Sequence, residues 1–236
     1  MSGGRNKIVK SKTNAQKTSP YKIKITKNGP YVVSGGVPLS EQIVCIDADG
    51  QCHGWKEGQK YAEQESYALC RCGRSRNKPF CDGSHNKAKF DGTEEANRSL
   101  YLEKANEIVG PGLKLTDAED LCVGARFCHR AGGTWKLTER SGDPEAKQTA
   151  VEEACDCPSG RLVAWEKDGK AIEPGFRQSI GLVQDVQTEK PGPIWVRGGI
   201  PIEAEDGTTY EQRNRVTLCR CGKSSNKPFC DGSHIK

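Results

Sequence analysis

The sequence predicts an α+β chain: two small β-rich units with a small α+β unit between them. Three observations carry this. Residues 70–85, CRCGRSRNKPFCDGSH, return at 219–234 as CRCGKSSNKPFCDGSH, identical at 14 of 16 positions. Upstream of each copy a glycine-punctuated, apolar stretch also repeats, GPYVVSGGVPL at 29–39 and GPIWVRGGIPI at 192–202. Between the copies lie helix signals and four further cysteines, Cys122, Cys128, Cys155 and Cys157. A repeat of this length is one supersecondary unit used twice.

Composition bounds what holds these units together. The chain has 236 residues, 34% hydrophobic, 6% aromatic, with 27 glycines. Small cores of this kind need support besides packing. The 12 cysteines could be a secreted disulfide scaffold. Against that, residues 1–18 are polar and basic with no apolar stretch, so no signal peptide is expected. A reducing, cytoplasmic setting is expected, or an organelle matrix in a eukaryote. No run of 18 apolar residues occurs, so no membrane anchor is expected. Residues 1–28 hold eight Lys and Arg and no acid, and this +8 against the chain's +5 leaves −3 for the rest. A basic tail on a mildly acidic body is not the footprint of a nucleic-acid-binding domain.

The elements follow in order. Residues 1–20 read as a disordered basic tail, and 21–90 as the first unit. Its residues 21–25 alternate as a half-buried strand does. Residues 29–39 read as a strand broken by a Gly-Gly turn, and 43–46 with Asp49-Gly50 as a hairpin. The step from Gly29 to Cys70 is 41 residues but from Gly192 to Cys219 only 27, so the first unit carries 14 extra residues. They fall in the stretch holding Cys45, Cys52 and His53, read as one buried small cysteine and polar loop residues. Final strands, 67–70 and 216–219, feed each cysteine loop. Asp82 and Asp231 read as N-caps of a following helix. Residues 91–116 form a connector with a helix possible over 94–109. The middle unit, 117–170, opens with a capping box at Thr116 and Glu119 starting a helix. Residues 135–138 read as a strand. Asp143 and Pro144 open a helix over 145–154, and 161–165 form a strand before a turn at Asp168-Gly169. Residues 171–191 read as a linker, and 192–236 as the second unit.

Each repeated loop offers three cysteines and a histidine spaced C-x-C-x8-C-x3-H. Thiolates and imidazole suit zinc or an iron–sulfur cluster. The C-x-C pair is short for structural zinc, which more often uses two to four intervening residues. A [2Fe–2S] cluster needs one ligand pair per iron, and the pairs here would be Cys70/Cys72 with Cys81/His85. Lys78 and Lys227 are candidates to support such a group, though lysines of this kind are more often simply solvated.

The loops resemble the CDGSH iron–sulfur family, the mitoNEET-like proteins, whose motif is C-x-C-x2-(S/T)-x3-P-x-C-D-G-(S/T/A)-H. Cys70, Cys72, Ser75, Pro79, Cys81, Asp82, Gly83, Ser84 and His85 match in the first copy. Cys219, Cys221, Ser224, Pro228, Cys230, Asp231, Gly232, Ser233 and His234 match in the second. The resemblance implies one [2Fe–2S] cluster per loop, held by Cys70, Cys72, Cys81 and His85 and by Cys219, Cys221, Cys230 and His234. It implies small β-rich units above the cluster loops, here pairing as an intramolecular pseudo-dimer. The middle unit resembles a divergent ferredoxin-like domain, through Cys157-Pro158-Ser159-Gly160 above all. A third cluster, [4Fe–4S] or [2Fe–2S], is therefore expected at Cys122, Cys128, Cys155 and Cys157. Buried or redox-inactive thiols and a zinc site remain open there.

A neutral imidazole in place of a thiolate makes a cluster one unit less negative and easier to reduce. It also couples the site to pH, since the ligand must be deprotonated. No nucleophile–base pair or phosphate loop is visible, so no enzyme is expected. One-electron transfer is the leading expectation, cluster storage and transfer the second, and a zinc-bound structural module the third. The expected partner is a redox protein or an apo-protein that accepts a cluster, with no nucleic acid and a monomeric state.

Overall fold

The computed structural model describes residues 20–236. The basic tail expected at 1–20 lies, but for its last residue, outside the described residues. In β1 (Lys22–Ile25) the isoleucines point inward and the lysines outward, as a period of two requires. β2 (Tyr31–Ser34) pairs antiparallel with it. The chain then leaves that sheet. β3 (Leu39–Ile46) and β4 (Cys52–Lys60) form a long antiparallel hairpin. β5 (Ser66–Leu69) returns to pair with β2 and leads into the first cysteine loop. The loop ends in a single helical turn, α1 (Ser84–Lys87).

The central segment begins with the short α2 (Tyr101–Lys104). Its sheet has the order β6 (Asn106–Val109), β7 (Lys114–Asp117), β8 (Leu162–Trp165), β9 (Ala171–Ile172), antiparallel throughout. Two helices intervene between β7 and β8, α3 (Thr134–Glu139) and α4 (Pro144–Asp156). They bury Leu137, Ala146 and Ala150 against Leu115 and Leu162 of the sheet. Asp143 caps α4 by accepting from the Glu145 N–H at 3.1 Å, with Pro144 in the first turn, as the sequence predicts.

The second unit mirrors the first. β10 (Ser179–Gln184) and β11 (Pro191–Arg197) pair antiparallel, and β13 (Arg215–Leu218) pairs with β11 and enters the second cysteine loop. Between them β12 (Ile202–Glu203) crosses to the first sheet and lies parallel to β1. In the reverse direction, β3 lies parallel to β10 in the second sheet. The two sheets run β12-β1-β2-β5 and β13-β11-β10-β3-β4. Each unit thus completes the other's sheet. Their apolar faces form one core, in which Ile23, Tyr31 and Val33 meet Ile180, Ile194 and Val196.

Several expected elements differ, each for a tertiary reason. The stretch 171–191 holds β10, buried at Ile180, Leu182 and Val183 between two strands; Pro174, Gly175 and Pro191 lie outside that strand, and Gly181 is taken up within it. The helix expected over 94–109 shrinks to α2, followed by β6. Glu94 is held by Tyr210 and the Glu205 N–H, and the N–H groups of Glu95 and Ala96 go to the Lys227 carbonyl, which fixes an extended path. The capping box at Thr116 does not form. Its hydroxyl meets Tyr101 and Trp165 across the sheet, and only a 3-10 turn, Glu119–Leu121, follows. Residues 135–138 are helical because Thr134, Leu137 and Thr138, at helical spacing, are the buried set. Gly83, not Asp82, holds the N-cap position of α1.

Candidate metal centres

Each loop is closed by its own motif residues before any ligand is considered. The N–H of Cys70 donates to the Pro79 carbonyl at 2.8 Å, and that of Cys219 to Pro228 at 2.8 Å. Both Lys-Pro bonds in the loops are cis. The Ser75 and Ser224 hydroxyls donate to the carbonyls of Phe80 and Phe229, at 2.6 and 2.7 Å. Asp82 accepts from the N–H groups of Arg76 at 2.8 Å and Ser84 at 3.0 Å, which hold its carboxyl well below the usual carboxylate range. Asp231 makes the matching bonds to Ser225 and Ser233. Ser, Pro and Asp of the motif therefore build the loop and leave the Cys and His side chains free of that work.

Those side chains stand in pairs. The Cys70 and Cys72 sulfurs lie 3.8 Å apart, and Cys81 Sγ is 3.4 Å from His85 Nδ1. In the second loop Cys219 and Cys221 are 3.6 Å apart, and Cys230 Sγ is 3.4 Å from His234 Nδ1. Among the described residues no three His, Cys, Asp or Glu side chains converge as one metal ion needs. Two donor pairs per loop suit two metal atoms better than one. Backbone N–H groups also point at sulfur, from Arg74 to Cys72 at 3.4 Å, Gly83 to Cys81 at 3.5 Å and Lys223 to Cys221 at 3.5 Å. Such donors stabilise negative charge on sulfur. Burial pushes the Cys230 thiol up to about 12, so ionising it calls for a positive partner such as a metal.

The loops meet backbone to backbone. A Cβ on Gly73 would stand 2.6 Å from the Cys221 carbonyl oxygen, and one on Gly222 would stand 2.7 Å from that of Cys72. Both glycines have positive φ, 72° and 77°, so this crossing admits no side chain. On its other side the second loop abuts the central segment. A Cβ on Gly232 would lie 3.2 Å from the Cys122 carbonyl oxygen, and Asn226 donates to the Asp120 carbonyl at 3.1 Å.

Three of the four middle cysteines share a cavity without converging on one point. Cys122, Cys128 and Cys157 line one small cavity beside Arg161. Burial, reinforced by Cys157 and Cys122, pushes the Cys128 thiol up to about 12. Cys155, grouped with them on sequence, does not join. It lies on the last turns of α4, two residues before Cys157, and its sulfur turns to the Ile172 carbonyl at 3.8 Å. Of the two cysteines on the β3–β4 hairpin it is Cys52, on β4, that is the buried core residue, beside Val44 and Trp195, while Cys45, on the strand read at 43–46, is only half-buried.

Several supporting residues escape a reading of the ligand pattern. Arg215, fully buried on β13, donates to the carbonyls of Ala154, Cys155 and Cys157 at 2.6, 3.1 and 2.8 Å and pairs with Glu173 at 2.8 Å. It ties the strand that enters the second loop to the backbone carrying Cys157. Tyr31, from the first unit, donates to the Cys219 carbonyl at 2.8 Å. Its counterpart in the repeat is Ile194, so the alignment of the two copies gives no hint of it. Arg71 and Arg220, between the paired cysteines, bind the carbonyls of Gly92 and Gly192, each at 2.5 Å. An arginine at the same place in both copies was the available signal. The 14-residue insertion also acquires a purpose: Trp55 of β4 packs on Phe127 and Trp195, with ring centroids 4.9 and 4.6 Å apart, and so docks the central segment.

Residues 28–86 and 191–235 match the family model described as an iron-binding zinc finger of the CDGSH type. Residues 108–167 match the model of a divergent 4Fe-4S mono-cluster. No curated protein and no solved structure gives a significant match.

Proposed function

From the premise that this chain is a tandem member of the CDGSH iron–sulfur family with a divergent ferredoxin-like segment between its motifs, we propose that it carries electrons one at a time. Cys70, Cys72, Cys81 and His85 would hold one [2Fe–2S] cluster and Cys219, Cys221, Cys230 and His234 another. Cys122, Cys128 and Cys157 would supply three of the four ligands of a third centre of the 4Fe-4S type. Each cluster supplies a one-electron couple. The protein's part is to fix the ligand pairs, aim N–H groups at sulfur and bring the loops together. On this reading the two units act as an intramolecular pseudo-dimer, and the protein is a carrier without a substrate of its own.

The observation that carries this is the glycine crossing, Gly73 on Cys221 and Gly222 on Cys72. It joins the two ligand loops with no side chain between them, an arrangement that a pair of independent structural metal sites does not need. Anaerobically purified protein should be coloured, with iron and acid-labile sulfide in equal amounts and about four irons from the two loops alone. It should be reduced and reoxidised without losing colour. Zinc without sulfide would overturn the reading.

Cluster transfer is the second reading, and one observation favours it: Cys81 and His85 are both half-exposed at the loop edge. In that case colour should leave this protein as it appears in an apo-ferredoxin acceptor.

A further inference from the structure

Over the meeting point of the two loops lies an open cavity of about 630 Å³. Cys72, Cys221 and His234 line it, so it reaches the ligand set of both loops. Five of its cationic residues come from the motif itself, Arg74 and Lys78 from one copy and Arg220, Lys223 and Lys227 from the other, with Lys89 and Lys190 flanking them; Arg220 is committed to the Gly192 and Val183 carbonyls, which leaves six. Among the described residues none of these six is in an ion pair, and the single acid in the lining, Asp91, accepts from Thr93. Elsewhere lysines do find acids: Lys22 and Lys24 meet Glu203, Lys104 meets Asp120, and Lys147 meets Glu166. Residues 29–236 carry −3 in all, so without these six the same stretch would stand at −9. The positive charge is thus gathered where the loops meet, against the sign of the body around it.

The arrangement is diffuse. The ammonium groups of Lys78, Lys190 and Lys227 already donate to the carbonyls of Ser75, Ile235 and Ser224. The side chains of Arg74, Lys89 and Lys223 are exposed. Nothing here closes on a single point as a phosphate site does. A broad positive field over a half-open cleft matches carboxylates spread over a protein surface, and speeds encounter with it.

We propose that this cleft is the docking face for an acidic redox protein, which meets both ligand loops at once. The proposal names the partner class for the electron-transfer reading above and rests on it. The protein as purified, with its clusters, is titrated calorimetrically with oxidised flavodoxin, an acidic FMN protein, at low and at physiological salt. Binding should be saturable at low salt and weaken about tenfold or more as salt rises. Arg74→Glu with Lys223→Glu should weaken it about tenfold at low salt, while Lys136→Glu with Lys167→Glu, the same charge change on exposed residues of the central segment, should alter it less than about twofold. No binding, equal losses in both double variants, or tight one-to-one binding of inorganic pyrophosphate in place of the protein would each overturn the proposal. Reduction by photoreduced 5-deazariboflavin, a neutral donor, is measured in parallel. Clusters that fail to accept electrons from it would remove the electron-transfer reading, while the binding data judge the docking face separately.

Discussion

Gly83 and Gly232 occupy the same place in two nearly identical loops and share a φ of 81°. A Cβ added at Gly83 would meet nothing within 4 Å, whereas at Gly232 it would meet the Cys122 carbonyl at 3.2 Å and, behind it, Val123. The local conformation is the same and the surroundings are not. Cys81 is half-buried where Cys230 is buried. Phe229 packs against Tyr101, Leu121 and Val163 of the central segment, while Phe80 packs against Tyr61 and Tyr67 of its own unit, at 5.7 and 6.1 Å between centroids. Duplication gave two copies of one loop, and the inserted segment made one of them an inner loop and left the other outer.

The largest test of this contrast is Arg215→Met. It leaves Glu173 with only the Asn214 amide as donor and frees the carbonyls of Ala154, Cys155 and Cys157, and should cost about 3–5 kcal/mol in chemical unfolding. The middle centre and the second loop should loosen before the first, which hydrogen exchange would resolve; uniform loosening would break the inner-versus-outer distinction. Tyr31→Phe takes a buried donor from the Cys219 carbonyl and should cost about 1–3 kcal/mol, disturbing the second loop although the substitution lies in the first unit. Gly83→Ala should cost about 1–2 kcal/mol from its left-handed conformation alone. Gly232→Ala should cost more, because backbone must move as well; equal melting temperatures would mean the contact with Cys122 is unimportant.

The smallest expected effect is in pH. Burial pushes the His234 imidazole below its ordinary 6.5, with Arg220 adding in the same direction. The seated ring therefore binds a proton less readily than the same ring in the unfolded chain. Its contribution to stability is fully present above about 6.5 and is lost as pH falls through and below that value. Absorbance followed through acid titration should show colour lost on that side of neutrality, with the inner loop outlasting the outer. His85→Cys and His234→Cys should each slow the loss, since a thiolate replaces the protonatable ring; unchanged kinetics in both would refute the role given to histidine.

The loops were legible because ligand spacing is local and short. So was α4, whose Asp143 and Pro144 signals depend only on neighbours in the chain. What the sequence hid was long-range. β10 lies among prolines and glycines and becomes a central strand only because β3 and β11 flank it. The Thr116 capping box lost its hydroxyl to Tyr101 and Trp165. Cys155 carries the same thiol as Cys157, but two residues along the end of a helix turn it elsewhere. Arg215 looks like an ordinary strand residue until the carbonyls it serves arrive from 60 residues away.

The exchange of β3 and β12 has a consequence for how the chain assembles. Pairing Ile23 with Ile202 closes a loop of 179 residues, a contact separated far enough along the chain to be slow to form. A central segment that is folded first shortens the flexible part of that loop, and lowers the entropy lost on closing it. Both crossing strands belong to one chain, so within it neither sheet is complete until both units are present. The molecule is therefore born with a fixed order along it, an end that faces outward and an end that faces the insert, and symmetry between its halves is not available to it.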